Sequence, residues 1–228
     1  MDERSYSSSP EDLWMIRFKG ILFDFDGTLA DTMPGHYMAW KSALSEHGID
    51  VQANDYYPLE GMQLHEIAMK LTREQRWTRN AIDELVQRKK RCYVNKKSVR
   101  LYPGVNSLIA ELKAQRIPMG IVTAGHLDQL QLSAPIEFLK KFDALITGDQ
   151  VSKGKPHPEP YLRGAKALGL DPQECIAVEN APLGVQSAKQ AGTYCIAICS
   201  TVSRQDLLGA DEILDRFEEL KTCANLIF

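Results

Sequence analysis

The strongest constraint on the fold is an alternation of short apolar runs with helical patterns, which begins at residue 18. Five runs of strand length are almost continuously apolar, as expected of parallel strands that are covered on both faces. These runs are FKGILF (18–23), IPMGIVT (117–123), FDALITG (142–148), CIAVE (175–179) and YCIAIC (194–199). The predicted core helices lie near residues 105–116, 126–133, 158–168 and 182–191. This order predicts an α/β fold with a doubly wound, Rossmann-like parallel sheet.

One long helical block interrupts this pattern after the first strand. Residues 33–100 show apolar side chains at helical spacing, as in LHEIAMKL (64–71), and no strand pattern. We therefore predict a small all-helical cap domain at 33–100, inserted into a core made of residues 17–32 and 101–228, after a disordered tail at 1–16. Ligands of open parallel sheets bind at the carboxyl ends of the strands, so the cap would act as a lid.

Side chains suited to chemistry follow the ends of the predicted strands. They are Asp24 and Asp26 after the first strand, Thr123 at the end of the second, Lys155 after the third, and Glu179 and Asn180 at the end of the fourth. Because the carboxyl ends of parallel strands share one edge of a sheet, these residues are expected to converge. Together they can hold a phosphoryl group and a hard cation such as Mg²⁺. The cation would also relieve the repulsion between the two aspartates.

The composition argues against several classes of function. A net charge of −3 and an isoelectric point of about 6.0 give no electrostatic attraction to nucleic acid or to an anionic membrane. No apolar run approaches the roughly 18 residues of a spanning helix, and the N-terminal segment lacks the apolar stretch of a signal peptide. The 5 cysteines form no C-x-x-C pair, which favours reduced thiols. We therefore expect a cytoplasmic monomer or weak homodimer without nucleic-acid or membrane partners.

Four segments carry a resemblance to a known family. DFDGTLADT, IVTAG, GKPHPEPYL and VENAPLGVQSAKQAG resemble, in this order, the four motifs of the haloacid dehalogenase-like phosphohydrolases. The resemblance covers roughly residues 18–220, and the helical insert resembles the first cap type of the β-phosphoglucomutase-like branch. It implies a Mg²⁺-dependent phosphohydrolase whose substrate is a small phosphorylated metabolite, such as a sugar phosphate.

The same resemblance implies a role for each residue. Asp24 would be the nucleophile that becomes an aspartyl-phosphate, and Asp26 would protonate the leaving oxygen and then activate the attacking water. Thr123 and the backbone N–H of Ala124 would hold the phosphoryl oxygens, while Lys155 would neutralise charge on the nucleophile and the phosphate. The implied metal ligands are Asp24, Asp26, Glu179 and Asn180.

The fourth motif departs from the family pattern, which usually has aspartate where this chain has Asn180. The site therefore loses one negative charge. We hypothesise that the cap supplies the missing carboxylate through Glu60, in YYPLEGMQ (56–63). A similar Glu-Gly step occurs in a pyrophosphatase offshoot of the branch. A surface position for Glu60 is nevertheless the favoured interpretation of the sequence alone.

Two further cap residues are candidates for contact with the substrate. Lys89 shares a helical stripe with Ile82, Leu85 and Val86, which directs it toward the inner side of the lid, where the branch carries a substrate-facing lysine. The alternative is a lysine that extends along the stripe edge into solvent. His36 resembles a cap-hinge histidine of the branch, with a capping or surface role as the alternative.

Other activities are less well supported by the sequence. A β-phosphoglucomutase uses a cap-loop arginine to hold the distal phosphate, but residues 61–71 offer only His65 and Lys70, which are weak substitutes. Hydrolysis is therefore favoured, with mutase and inorganic pyrophosphatase activities as alternatives. A phospho-accepting receiver domain would have no lid and would need its acceptor after the third strand, where only Asp149 is available. The intact aspartate pair argues against a non-catalytic binding protein.

Overall fold

A sheet of six parallel strands forms the centre of the computed structural model, which describes residues 18–72, 77–94 and 100–223. The strands in chain order are β1 (Gly20–Phe23), β2 (Met119–Val122), β3 (Ala144–Ile146), β4 (Cys175–Glu179), β5 (Tyr194–Ile198) and β6 (Glu212–Leu214). Across the sheet they are arranged as β3-β2-β1-β4-β5-β6. The predicted α/β sheet is therefore confirmed. The tail predicted at residues 1–16 lies outside the described residues.

Helices form the inserted segment and also cover the sheet. Those of the insert are α1 (Met33–Ser45), α2 (Ala53–Tyr56), α3 (Leu64–Leu71) and α4 (Arg79–Val94). Those that accompany the sheet are α5 (Val105–Ala114), α6 (Leu127–Ser133), α7 (Ile136–Leu139), α8 (Glu159–Leu168) and α9 (Pro182–Ala191). The elements β6 and α7 were not predicted from the sequence, because runs of three or four residues carry too little periodicity to be recognised. Within the described residues, no helix is both long and apolar enough to span a lipid bilayer.

The first strand lies in the middle of the sheet and is buried on both faces. Ile21 and Phe23 pack on one face with residues of α5, while Leu22 packs on the other with Tyr161 of α8 and Val185 of α9. Each such fully buried Ile, Leu or Phe contributes about 1.5–3 kcal/mol through the area removed from water. This double coverage explains why β1 is continuously apolar up to its carboxyl end.

The insert forms a helical cap with an apolar core of its own. Trp40 of α1, Ile67 of α3 and Leu85 of α4 are buried in one cluster that is separate from the two clusters of the sheet. The chain leaves and re-enters the sheet domain at one place, since Ala30 and Leu101 form an antiparallel bridge. The predicted inserted cap is therefore confirmed. Movement of the cap relative to the sheet would bend the chain at this bridge.

Helix α9 packs closely against the end of β4 because it carries a glycine there. A Cβ at Gly184 would lie 2.1 Å from the Oε1 atom of Glu179, much closer than two non-bonded atoms approach. A Cβ at Gly209, by contrast, would lie 3.5 Å from the Cγ1 atom of Val185, which is an ordinary contact.

We predict that Gly184→Ala lowers the free energy of unfolding by about 1–3 kcal/mol, because the added methyl group must displace the helix or the buried carboxylate. Gly209→Ala is the matched control and should change it by less than about 0.5 kcal/mol. Urea unfolding followed by circular dichroism measures both. Equal stability of the two variants would contradict the close packing of α9 on Glu179.

Candidate active site

The residues predicted from the four motifs converge at the carboxyl ends of the central strands, beneath the cap. One chamber between the sheet and the cap is lined from the sheet side by Asp24, Asp26, Thr123, Ala124, Glu179 and Asn180. From the cap side it is lined by His36, Glu60 and Lys89, together with Met33, Tyr56, Met62, Leu64 and Ile67. Lys155 lies behind this wall, in contact with Asp24. The structure thus places every predicted site residue in or directly against one chamber.

The Lys155 ammonium group joins three strands at this edge. Its Nζ atom donates hydrogen bonds to Asp24 Oδ1 at 2.7 Å, to Glu179 Oε1 at 2.6 Å and to the carbonyl oxygen of Val122 at 3.0 Å. Burial by itself lowers the pKa of Lys155, but the charges of Asp24 and Glu179 reverse this effect and raise it above its usual value. Lys155 therefore stays a cation shared by two buried carboxylates.

The carboxylate of Glu179 accepts hydrogen bonds from several other groups of the protein. In addition to Lys155, its Oε1 atom accepts a hydrogen bond from the hydroxyl of Tyr161 at 2.6 Å. Its Oε2 atom accepts from the backbone N–H groups of Asn180 at 3.1 Å and Ala181 at 3.5 Å. Both oxygens are thus occupied, so this residue is placed to hold Lys155. The direct metal-ligand role of Glu179 stays a prediction, and its contacts also fit a role in holding Lys155.

Asp24 has one occupied and one free carboxylate oxygen. Oδ1 accepts the hydrogen bond from Lys155, while Oδ2 is buried and has no hydrogen-bond partner among the described residues. Burial raises the pKa of this carboxyl above its usual value, and Lys155 only partly offsets that effect. Asp24 therefore presents an unpaired, weakly solvated oxygen to the chamber.

Asp26 is connected to the cap by a chain of hydrogen bonds. Its Oδ1 atom lies 2.7 Å from the hydroxyl of Thr32 and 3.1 Å from Nε2 of His36, whose Nδ1 lies 2.8 Å from Nζ of Lys89. Two nitrogen atoms at that distance need one acceptor between them, so His36 and Lys89 carry at most one positive charge in total. Burial favours the neutral forms: it lowers the pKa of His36 below its usual value, and it lowers the pKa of Lys89 to about 7.

The hydrogen bonds from His36 and Thr32 change the pKa of the Asp26 carboxyl strongly. Burial alone would raise its pKa, but the charge and hydrogen bond of His36 and the hydrogen bond of Thr32 lower it to about 2.

His36 also stacks on Tyr93, with ring centroids 4.0 Å apart. Lys89 is 1% exposed, so the alternative of a lysine that extends into solvent is wrong, and so is a surface role for His36, which is 7% exposed.

Glu60 is buried against the sheet domain, although the sequence favoured a surface position. It is 2% exposed, and its Oε2 atom accepts hydrogen bonds from Thr201 at 2.9 Å and from Nδ2 of Asn180 at 3.2 Å. Its Oε1 atom has no partner among the described residues. Burial raises the pKa of Glu60 to about 8, an effect that Thr201 reduces and the charge of Asp24 increases. The surface expectation failed because the cap loop folds inward, a feature that no local pattern encodes.

The loop after β2 presents polar groups beside the aspartates. The hydroxyl of Thr123 lies 3.4 Å from Oδ2 of Asp26 and accepts a hydrogen bond from the backbone N–H of Gly125 at 3.0 Å. Ala124 and Gly125 follow it along the chamber wall. Gln129, on the first turn of α6, also lines the chamber, and sequence analysis missed it because a single glutamine in a short helix gives no signal of function.

The oxygen atoms of the chamber suit a hard divalent cation. Among the described residues, no three histidine, cysteine, aspartate or glutamate side chains form a ready-made metal cluster. The free Oδ2 of Asp24 and Oε1 of Glu60 are nevertheless unpaired acceptors in one chamber. The carbonyl oxygen of Asn180, which accepts from Thr28 at 3.1 Å, keeps a second lone pair. Oxygen donors of this kind fit Mg²⁺ or Ca²⁺ better than zinc, which prefers nitrogen and sulfur.

The chamber is small in this arrangement. Its volume is about 50 Å³, far below the roughly 300–1,000 Å³ of ordinary ligand pockets. A space of this size admits a phosphoryl group or a few water molecules. A larger phosphorylated molecule would enter only when the cap moves away from the sheet.

We predict that Lys155→Met lowers the free energy of unfolding by about 3–5 kcal/mol, because it leaves two buried carboxylates without their cation. Lys153→Met, two residues earlier at an exposed position, is the matched control and should change stability by less than about 0.5 kcal/mol. Urea unfolding of both variants tests the prediction. A loss below 1 kcal/mol for Lys155→Met would show that the shared ammonium is not a structural requirement.

Comparisons with known proteins agree with this geometry. Residues 21–198 match the family model of the haloacid dehalogenase-like hydrolases. Hexitol phosphatase A from Escherichia coli (strain K12) is 31% identical over 90% of this chain and 94% of that protein. Beta-phosphoglucomutase from Bacillus subtilis (strain 168) is 27% identical over 89% of this chain and 91% of that protein.

A solved structure extends the likeness to three dimensions. The crystal structure of a CbbY variant from Rhodobacter sphaeroides in complex with xylulose-1,5-bisphosphate is 28% identical and has a TM-score of 0.79. The match covers 89% of this chain and 96% of the CbbY chain. From the match to the family model and the likeness over most of its length, the chain belongs to the haloacid dehalogenase-like hydrolases, among relatives of the β-phosphoglucomutase and CbbY type.

Proposed function

We propose that the protein is a Mg²⁺-dependent phosphatase that hydrolyses a small phosphorylated metabolite through an aspartyl-phosphate on Asp24. The observation that carries this proposal is the unpaired Oδ2 atom of Asp24, buried in the chamber while Lys155 holds Oδ1. Phosphatases acting on phosphorylated polyols and sugars are among the relatives, such as hexitol phosphatase A. The family as a whole typically requires a divalent metal.

The first chemical step is attack of Asp24 Oδ2 on the phosphorus atom of the substrate. The bond from phosphorus to the leaving oxygen breaks, and Asp26 gives that oxygen a proton. In the second step water attacks the phosphorus atom, Asp26 takes up the proton of the water, and the bond to Asp24 breaks. Inorganic phosphate and the regenerated carboxylate are the products.

The hydrogen-bonded chain from the cap would support both roles of Asp26. A carboxylate that is held ionised by His36 and Thr32 is suited to deprotonating water. To act first as an acid it needs a proton, and Nε2 of His36 lies 3.1 Å from its Oδ1 atom. His36 belongs to α1 and Lys89 to α4, so the acid–base group depends on the position of the cap.

Three further groups would bind the transferring phosphoryl group. The hydroxyl of Thr123 and the backbone N–H of Ala124 are proposed to donate hydrogen bonds to its oxygens, and the charge of Lys155 to stabilise the transition state. Proposed metal ligands are Asp24, Asp26, Glu179, Asn180 and Glu60, with Glu179 also orienting Lys155. When bound, Mg²⁺ would neutralise charge on the phosphoryl oxygens and on the surrounding carboxylates.

The cap gives more support to hydrolysis than to a mutase reaction. No arginine is among the chamber-lining residues that the structure describes. The two weak substitutes are also directed elsewhere, since His65 is exposed and bonded to Asp83 at 2.9 Å, and Lys70 is exposed. Among the described residues, a second phosphate would therefore find no arginine clamp in the chamber. Inorganic pyrophosphatase stays the second candidate, on the observation that Glu60 adds a buried carboxylate next to Asn180.

We predict that Asp24→Asn lowers Mg²⁺-dependent phosphate release by more than about 10³-fold, because the amide cannot form the intermediate. The assay uses hexose phosphates, a hexitol phosphate, β-glucose 1-phosphate, phosphoglycolate and pyrophosphate. Asp50→Asn, at an exposed cap position, is the matched control and should keep full activity.

The pattern of products separates the alternatives. Conversion of β-glucose 1-phosphate into glucose 6-phosphate without release would identify a mutase, and a preference for pyrophosphate would identify a pyrophosphatase. Release that survives in Asp24→Asn would refute the aspartyl-phosphate mechanism.

We predict that Glu60→Gln raises the Mg²⁺ concentration for half-maximal activity about 10–100-fold, because a carboxylate near the ion is lost. Glu66→Gln serves as the control, since Glu66 caps α3 outside the chamber. Titration of Mg²⁺ into each variant by calorimetry gives the affinity independently of turnover. An unchanged affinity in Glu60→Gln would exclude the cap carboxylate as a ligand.

A further inference from the structure

Gln129 is a buried polar side chain that no contact in the protein satisfies. The residue is 5% exposed and lies on the first turn of α6, directly after the loop that carries Thr123. Neither Oε1 nor Nε2 of its carboxamide has a hydrogen-bond partner among the described residues. Buried amides are almost always hydrogen-bonded, because an unpaired one forfeits its interactions with water. We therefore expect a bound group that is not part of the protein to provide its hydrogen bonds.

Another buried polar side chain of α6 does find a hydrogen-bond partner within the protein. Ser133 lies one turn further along α6 and is also buried, but its hydroxyl is paired with the hydroxyl of Tyr93 at 3.0 Å. Tyr93 belongs to the cap helix α4. At this contact between the cap and the sheet domain, the Ser133 hydroxyl is therefore hydrogen-bonded, whereas the Gln129 carboxamide is not. Gln129 differs because it lines the chamber.

The position of the carboxamide relative to Asp26 indicates which part of a substrate it would meet. A Cβ on Gly125 would lie 3.4 Å from Oγ1 of Thr123, 3.5 Å from Oδ2 of Asp26 and 4.0 Å from Oε1 of Gln129. The absent side chain of Gly125 thus leaves a space that polar atoms of all three residues surround. Thr123 is proposed to hold the phosphoryl oxygens and Asp26 to protonate the leaving oxygen, so a carboxamide at the edge of this space would meet the substrate beside its leaving oxygen.

The chemistry of a carboxamide restricts the ligand that can satisfy it. Nε2 offers two donors and Oε1 is an acceptor, so full satisfaction needs a ligand that both accepts and donates. A hydroxyl group does both, whereas the ionised oxygens of a phosphate only accept. An unsubstituted alkyl or aryl group does neither.

We propose that Gln129 is a specificity residue that hydrogen-bonds a hydroxyl group of the leaving group, and so discriminates hydroxylated phosphate esters from unsubstituted ones. This inference rests on the proposed phosphatase function and adds the part of the substrate that is recognised. It also disfavours pyrophosphate, whose leaving group has no hydroxyl donor in its ionised form.

The test is a comparison of two substrates on two enzymes. Glycerol 3-phosphate carries one hydroxyl group on each of the two carbons beyond its ester carbon, and propyl phosphate has the same carbon chain without them. Gln129→Met keeps the length of the side chain and removes the carboxamide. Gln131→Met is the control, because Gln131 lies on the same helix at an exposed position.

Wild-type protein is expected to prefer glycerol 3-phosphate, and Gln129→Met to lower kcat/KM for it about 10–100-fold. The kcat/KM for propyl phosphate should change less than threefold in the same variant. The Tm of Gln129→Met should be at least as high as that of the wild type, because an unsatisfied buried amide is removed. A merely structural glutamine would give the opposite result, a lower Tm with both substrates affected equally.

The outcomes separate this inference from the proposed function. An equal loss on both substrates, or no loss on either, would overturn the role of Gln129 while leaving phosphatase activity established. Absence of Asp24-dependent phosphate release from every substrate would refute the proposed function, and the inference with it.

Discussion

The ion pair network around Lys155 is the interaction on which the rest of the site depends. One buried ammonium group contacts Asp24 after β1, the carbonyl oxygen of Val122 in β2 and Glu179 at the end of β4. These are three neighbouring strands of the sheet, so the network fixes their ends relative to one another. An uncompensated charge here would be costly, which makes the geometry resistant to small displacements. The same contacts occupy one oxygen of Asp24 and leave the other facing the chamber.

The second feature of the molecule is that its candidate site residues are divided between the sheet domain and the cap. Asp26 belongs to the sheet domain, but its ionisation is set by His36 and Lys89 of the cap. Glu60 of the cap reaches in the other direction, to Asn180 of the sheet domain. A small chamber follows from these contacts, and an entering substrate larger than a phosphoryl group would have to break some of them. Lid closure would in this way couple substrate enclosure to the protonation of Asp26.

Unsatisfied polar atoms connect the site to its proposed ligands. Asp24, Glu60 and Gln129 each bury at least one polar atom that has no partner within the described part of the chain, and all three line the same chamber. Folding alone does not favour such an arrangement, because each unpaired atom reduces stability. The arrangement is understandable where a cation, a phosphoryl group and a leaving group complete the missing contacts. Function and stability are therefore in opposition at these positions.

The amino-acid sequence by itself determined the class of the fold and the residues that follow its strands. Continuous apolar runs identify buried parallel strands, and the ends of such strands must meet at one edge, so Asp24 and Lys155 could be placed together across 131 positions. The cap positions of Glu60 and Lys89, the commitment of Glu179 to Lys155, and the open carboxamide of Gln129 were decided only by the tertiary structure. The physical reason is that periodicity reports which face of an element is apolar. Burial of a single polar side chain depends instead on the element that packs against it, which can lie anywhere in the chain.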